Sequence, residues 1–228
     1  MPTATSASKK TQANDKKSSF PTDSGLQNWL LILQVFVAGA ASLSLEMAAS
    51  RLLAPYFGSS LFVWANLIGL ILLYLTLGYY GGGFLADRHP RPQVFYTITM
   101  IASLLIALIP LIAQPTLHWS LYVFVGNDLD VFYGSLISIL VLFSLPMILL
   151  GCVSPFAIRL RVEQVGKSGR TAGLLYAIST AGSILGTFLP VLVLMPYIGT
   201  SLTFLVTAAT LLLMSILGLL STRLRKGQ

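Results

Sequence analysis

The sequence predicts an all-α integral membrane fold, a bundle of six transmembrane helices. Three observations carry that prediction. Only 9% of the 228 residues are charged and 55% are hydrophobic, whereas a water-soluble domain devotes about 25% of its residues to charge. The charges fall in short gaps between long apolar runs. Drawn with six crossings, the chain also places thirteen of its fourteen Lys and Arg residues on one side of the membrane, the asymmetry expected of cytoplasmic loops.

Residues 1–27 are rich in Ser, Thr, Lys, Asn and Gln and include Lys9, Lys10, Lys16 and Lys17. Such a stretch buries too little apolar surface to offset its ordering entropy, which predicts a disordered cytoplasmic tail. Its long polar lead, followed by a run long enough to span, is unlike a secretory signal. The membrane domain then covers 28–222. The first span is expected at about 29–54, where Pro55 breaks the helix and 55–60 forms a short turn. The second is expected at about 61–85 and ends in the polar loop 87–92.

The third span is expected at about 94–113, with Pro110 near its end. Residues 115–130 read as an interfacial connection, with Trp119, Tyr122 and Phe124 ahead of Asn127, Asp128 and Asp130. The fourth span is expected at about 131–158, interrupted by Pro146 and Pro155. The loop 159–170 carries Arg159, Arg161, Glu163, Lys167 and Arg170. No charge then appears from 171 to 222, too long for one crossing of a hydrocarbon core that needs about 20 residues. Pro196 and Gly199 divide this run into spans at about 171–193 and 200–221, and 223–228 is a basic cytoplasmic end.

Barrel strands alternate over about ten residues, whereas these runs are continuously apolar. Their backbone polar groups must be satisfied within each run, which requires helices. Six crossings leave both termini on the cytoplasmic side, with Arg51 alone at the other end and the 127–130 acidic loop outside. Trp29 falls at the inner interface, and Trp64 and Trp119 near the outer one, as aromatic anchors do.

The same pattern excludes several functions. A net charge of +7 could suit nucleic acid, but the basic residues form no continuous stripe. The single cysteine, Cys152, lies in an apolar run and reads as a small buried residue. His118 reads as solvated in an outer connection. Gly81, Gly82 and Gly83 lie near the end of a membrane helix, not between a strand and a helix as a phosphate loop requires. No metal-ligand cluster, nucleophile triad or carboxylate pair is legible, so neither a catalytic site nor a cofactor is expected.

Candidate sites lie within the helices. Glu46 is the one acid expected at membrane depth. A charge there costs about 2.5–3.5 kcal/mol on insertion scales, so it should face a cavity or a partner. It reads either as a cation-attracting group facing the bundle interior or as a hydrogen-bonding group between helices. Arg51, five residues on, is turned about 140° from it on an ideal helix and is a poor partner. Tyr56, Tyr176, Ser179 and Thr180, with Tyr74, Tyr79 and Tyr80, are polar handles that either line a pathway or bond between helices. The pairs Gly78/Gly82 and Gly182/Gly186, and the stretch Gly39-Ala40-Ala41-Ser42, suit close helix packing or a sliding face.

Two resemblances follow. Gly83, with Asp87, Arg88 and Arg91 at +4, +5 and +8, resembles the loop between helices two and three of the major facilitator superfamily. The resemblance implies a cytoplasmic gating loop whose Asp caps a helix end and pairs with an Arg across the bundle. Pro90 stands where that family commonly has Gly. The bundle is accordingly expected to be similar to one half of such a transporter. The alternative is an ordinary positive-inside turn, and the basic loops 88–91 and 159–170 could also grip anionic headgroups.

The second rests on Ser44-Leu45-Glu46-Met47 with Arg51-Leu52-Leu53-Ala54-Pro55-Tyr56-Phe57-Gly58-Ser59-Ser60. It is joined by Leu150-Gly151-Cys152-Val153-Ser154-Pro155-Phe156, Gly173-Leu174-Leu175-Tyr176-Ala177-Ile178-Ser179-Thr180 and Gly182-Ser183-Ile184-Leu185-Gly186-Thr187-Phe188. These stretches resemble the membrane portion of bacterial spermidine synthase-like proteins over roughly 30–220. The resemblance implies a module of the bacterial inner membrane that anchors a soluble aminopropyltransferase on another chain or moves polyamine-like cations. The α/β domain of such an enzyme is not legible in these 228 residues. Alternatives are a free-standing small-solute transporter acting as a homodimer and a structural subunit of a larger membrane complex.

Overall fold

The computed structural model describes residues 25–124, 130–161 and 168–224. Most of the tail, Asn127 and Asp128, Glu163, Lys167, Arg225 and Lys226 lie outside them. The described elements are helical: α1 (Gly25–Phe57), α2 (Leu61–Arg88), α3 (Pro92–Phe124), α4 (Asp130–Gly151), α5 (Val153–Arg161), α6 (Ser168–Leu189), a π turn (Pro190–Leu194) and α7 (Met195–Leu224). Five continuous helical stretches among them are long and apolar enough to cross a membrane. They are compatible with an integral membrane protein.

The distribution of polarity is compatible with a lipid surround. Leu72, Leu111, Leu145, Phe188 and Leu192 lie exposed on the outside. Uncharged polar side chains fill inward positions: Gln34, Thr99, Ser120, Ser135, Ser138, Thr203 and Ser215 are almost inaccessible. A water-soluble bundle would place such groups the other way round.

The first break differs from expectation. Pro55 does not end α1. It lies inside the last turn, and the helix runs on to Phe57. Proline removes one N–H, and packing that buries Leu53 and Phe57 holds the helix across it. The stop is Gly58, whose φ of 71° is accessible to glycine and whose N–H bonds to the Ala54 carbonyl at 2.9 Å. Ser60 then caps α2, its hydroxyl accepting from the Val63 N–H.

A second correction concerns 115–124, expected as a connection but helical here. α3 continues through Pro110 and Pro115 for 33 residues, about 50 Å. Leu117 and Ser120 explain this, because both are fully buried and Ser120 shares a 2.8 Å hydrogen bond with Ser138 of α4. Residues 25–27, assigned to the tail, form the first turn of α1. Asp87 and Arg88, expected in the loop, belong to α2, and Arg159 and Arg161 belong to α5. Between α4 and α5 the helix is interrupted at Cys152, three residues before Pro155.

The long uncharged run, expected to divide near Pro196 and Gly199 into two spans, is helical from Ser168 to Leu224 with two irregularities, and Pro196 lies inside α7. Pro190 lacks the N–H for the helical ladder and opens the π turn, where the Met195 N–H bonds to the Pro190 carbonyl. Gly199 then adopts φ 80°, ψ 170°. Contacts along α1 show what this break does. Gly182 faces Phe36 and Gly186 faces Ala40, so α6 runs parallel to α1. Gln34 bonds to Ser215 and Ser44 to Thr207, so α7 runs antiparallel to it. The chain therefore reverses between α6 and α7.

Candidate functional site: a serine-lined cleft and an ion-paired helix end

The site begins with how closely the helices approach. A Cβ on Gly182 or Gly186 would strike the backbone carbonyls of Phe36 and Ala40, and one on Gly39 would strike that of Ser179. Glycine thus lets α1 and α6 touch backbone to backbone. Gly78 and Gly82 do the same for α2 against Ile148, Gly151 and Cys152. With both backbones this close, short side chains suffice to line the gap between the two pairs.

That gap is a cleft of about 70 Å³ bordered by α1, α2, the α4–α5 junction and α6. Ser42, Tyr79, Ser154, Ser179 and Ser183 give it a polar lining. Ser183 donates to the Gly39 carbonyl at 3.1 Å, and Ser42 to that of Ala38 at 3.0 Å. The backbones of α2 and α6 stay apart among the described residues, and side chains of both, Tyr79 and Ser183 among them, border the cleft.

The expected site residues separate into groups. Glu46 lies one helical turn beyond Ser42 on the same face of α1, half-buried. Its carboxylate has no hydrogen-bond or ion-pair partner among the described residues. Tyr176 and Thr180 are exposed on α6, one turn before Ser179 and Ser183 respectively with allowance for one residue. Arg51 is not in this group: it lines a separate cleft of about 170 Å³ with Ser50, Ser59 and Trp64. Tyr56 is elsewhere again, its ring edge-on to His118 at 5.4 Å, so His118 packs against α1.

At the other end of the bundle, the Arg159 Nε–H donates to Asp87 Oδ1 at 2.9 Å. This pair ties the end of α2 to α5. Gly83 sits one turn before Asp87, where a Cβ would just touch Pro155. Arg88 ends α2, and the Arg91 carbonyl accepts from the Val94 N–H at the start of α3. Both ion-paired side chains are well exposed, 73% for Asp87 and 48% for Arg159. Such a pair contributes about 0–1 kcal/mol.

Sequence reasoning named Asp87 but not Arg159 as its partner, because 72 residues separate them. It also missed Ser42, Ser154 and Ser183 as lining groups. The available signal was their position beside the close-packing glycines. The cleft presents hydroxyls, and the Glu46 carboxylate lies one turn beyond its lining. No group of three or more His, Cys, Asp or Glu side chains gathers among the described residues. No family model, no curated protein and no solved structure matches the chain.

Proposed function

We propose that this chain is a multi-pass module of the bacterial inner membrane that moves polyamine-like cations, as a component of a spermidine synthase-like system. The observation that carries the reading is the unpartnered Glu46 carboxylate one turn beyond a cleft lined by Ser42, Ser154, Ser179 and Ser183. A carboxylate at membrane depth is costly unless it meets a cation or water. Hydroxyls next to it replace the hydration of an ammonium group. Spaced ammonium groups on one solute would meet the carboxylate and the hydroxyls in turn.

The topology in this proposal has six crossings, with α6 and α7 counted separately and both termini cytoplasmic. Reversal of the chain at Gly199 supports it. So does the collection of Arg88, Arg91, Arg159 and Arg223 at one end of the bundle. The bundle then corresponds to one half of a major facilitator-type transporter, and the Asp87–Arg159 pair to its gating contact. The wide backbone spacing between α2 and α6 leaves room for a second copy or another membrane subunit to pack there. Anchoring of a soluble aminopropyltransferase is the second function in this reading, resting on the sequence resemblance.

Flux of radiolabelled spermidine into proteoliposomes holding the purified chain tests the first function. Expected is saturable uptake that falls at least tenfold in Glu46→Gln. Uptake equal in the variant contradicts the assignment of Glu46. Absence of uptake of any small cation or neutral solute, with an aminopropyltransferase retained on the purified chain, replaces transport by anchoring.

A further inference from the structure

A second polar cleft, unrelated to Glu46, lies at the end of the bundle that carries Asp87. It is formed by the first turn of α1, the start of α3 and the last turns of α5 and α7. Gln27, Asn28, Pro92, Tyr96, Arg161 and Thr222 line it. Its volume is about 40 Å³, room for roughly three water-sized positions. That suits one tetrahedral oxyanion.

Three features make this cleft electropositive. Arg161 brings a permanent guanidinium charge, and its Nη1 is buried without a hydrogen-bond partner. A buried guanidinium N–H₂ without an acceptor is costly, so the position calls for an acceptor that the described residues do not supply. The N-termini of α1 and α3, each 33 residues long, meet here, and helix N-termini favour anions. Among the described residues no Asp or Glu lines the cleft.

The geometry points to a phosphate-binding site in this cleft, with Arg161 as the charged donor and Asn28 as a neutral one. The ligand is a phosphate mono- or diester oxyanion, of the kind carried by an anionic phospholipid headgroup or by free phosphate. Basic pockets between helices at the cytoplasmic side of membrane proteins take headgroups in this way. Occupancy would fasten α1 and α7 to α3 and α5 at one end of the bundle. The transport reading can fail without affecting this site, because neither Glu46 nor the serine cleft takes part.

Native mass spectrometry of the full chain from nanodiscs of mixed phosphatidylglycerol and phosphatidylcholine tests this. The expected result is retention of phosphatidylglycerol over phosphatidylcholine, reduced at least tenfold in Arg161→Gln and unchanged in Arg223→Gln. Arg223 has the same charge at the same end but does not line the cleft. Thr222→Leu, which fills the cleft from α7 and leaves the guanidinium in place, should reproduce the loss if Arg161→Gln fails to fold. A thermal shift in pure phosphatidylcholine nanodiscs on adding inorganic phosphate, abolished by either variant, assigns the site to the free anion instead of the lipid. Equal phosphatidylglycerol retention in wild type and in a folded cleft variant, with no phosphate-dependent shift, overturns the proposal.

Discussion

α1 makes two kinds of contact, and they differ in what they tolerate. Towards α6 it offers the carbonyls of Phe36 and Ala40 to Gly182 and Gly186, backbone against backbone. Towards α7 it reaches with side chains: Ser44 shares a 2.8 Å hydrogen bond with Thr207, and Gln34 donates to Ser215 at 3.2 Å. In lipid there is no hydrophobic drive to hold helices together, so close packing and interhelical hydrogen bonds must do it. The glycine seam brings helices near enough for a serine-lined cleft to form. The hydroxyl seam fixes register but keeps the backbones apart. The first should fail abruptly when altered and the second gradually.

The largest expected effect is on the glycine seam. Gly186→Leu forces a side chain into the Ala40 backbone, an obstacle that cannot rotate away. Overpacking typically costs about 1–3 kcal/mol, and this substitution should reach or exceed the top of that range. Thermal unfolding in detergent checks it. Gly69→Leu, with open space beside it, should stay within about 0.5 kcal/mol of wild type.

The hydroxyl seam should respond less. Thr207→Val removes the Ser44 partner and should cost about 0.6 kcal/mol, the mean for such membrane contacts. A double-mutant cycle with Ser44→Ala isolates that term; a coupling of several kcal/mol would erase the distinction between the seams. Asp87→Asn breaks the exposed pair with Arg159 and should cost no more than about 1 kcal/mol. The smallest effect is expected at Gln34→Leu. Gln34 Oε1 already lacks a partner in its buried position, so removing the amide also removes an unsatisfied acceptor. Its stability should change by less than that of Thr207→Val.

Much of this architecture was legible in the sequence because lipid imposes a coarse rule. Long uncharged runs mark helices, and the break observed at Gly199 lies where length, Pro196 and Gly199 together placed one in 171–222. Proline was the less faithful guide. Pro55, Pro115 and Pro146, expected to end, follow or interrupt a span, all lie inside helices, because tertiary packing at Phe57, Leu117 and Met147 outweighs one lost hydrogen bond each. Glu46 stood out as an isolated acid, but the serines near it did not, since a hydroxyl in an apolar run looks the same lining a cleft or bonding its own helix. The pairing of Asp87 with Arg159 and the convergence of Arg161 with two helix starts depend on contacts between distant segments. No local pattern encodes them.

The proposed six-crossing topology depends on the reversal between α6 and α7. Single-cysteine labelling in a Cys152→Ala background tests it, with a membrane-impermeant maleimide applied to right-side-out and inverted vesicles. Arg170→Cys and Arg223→Cys should label from one side, and Tyr197→Cys, beside the Gly199 break, from the other. Labelling of Arg170→Cys and Arg223→Cys from opposite sides would mean that 168–224 crosses once, contradicting the account.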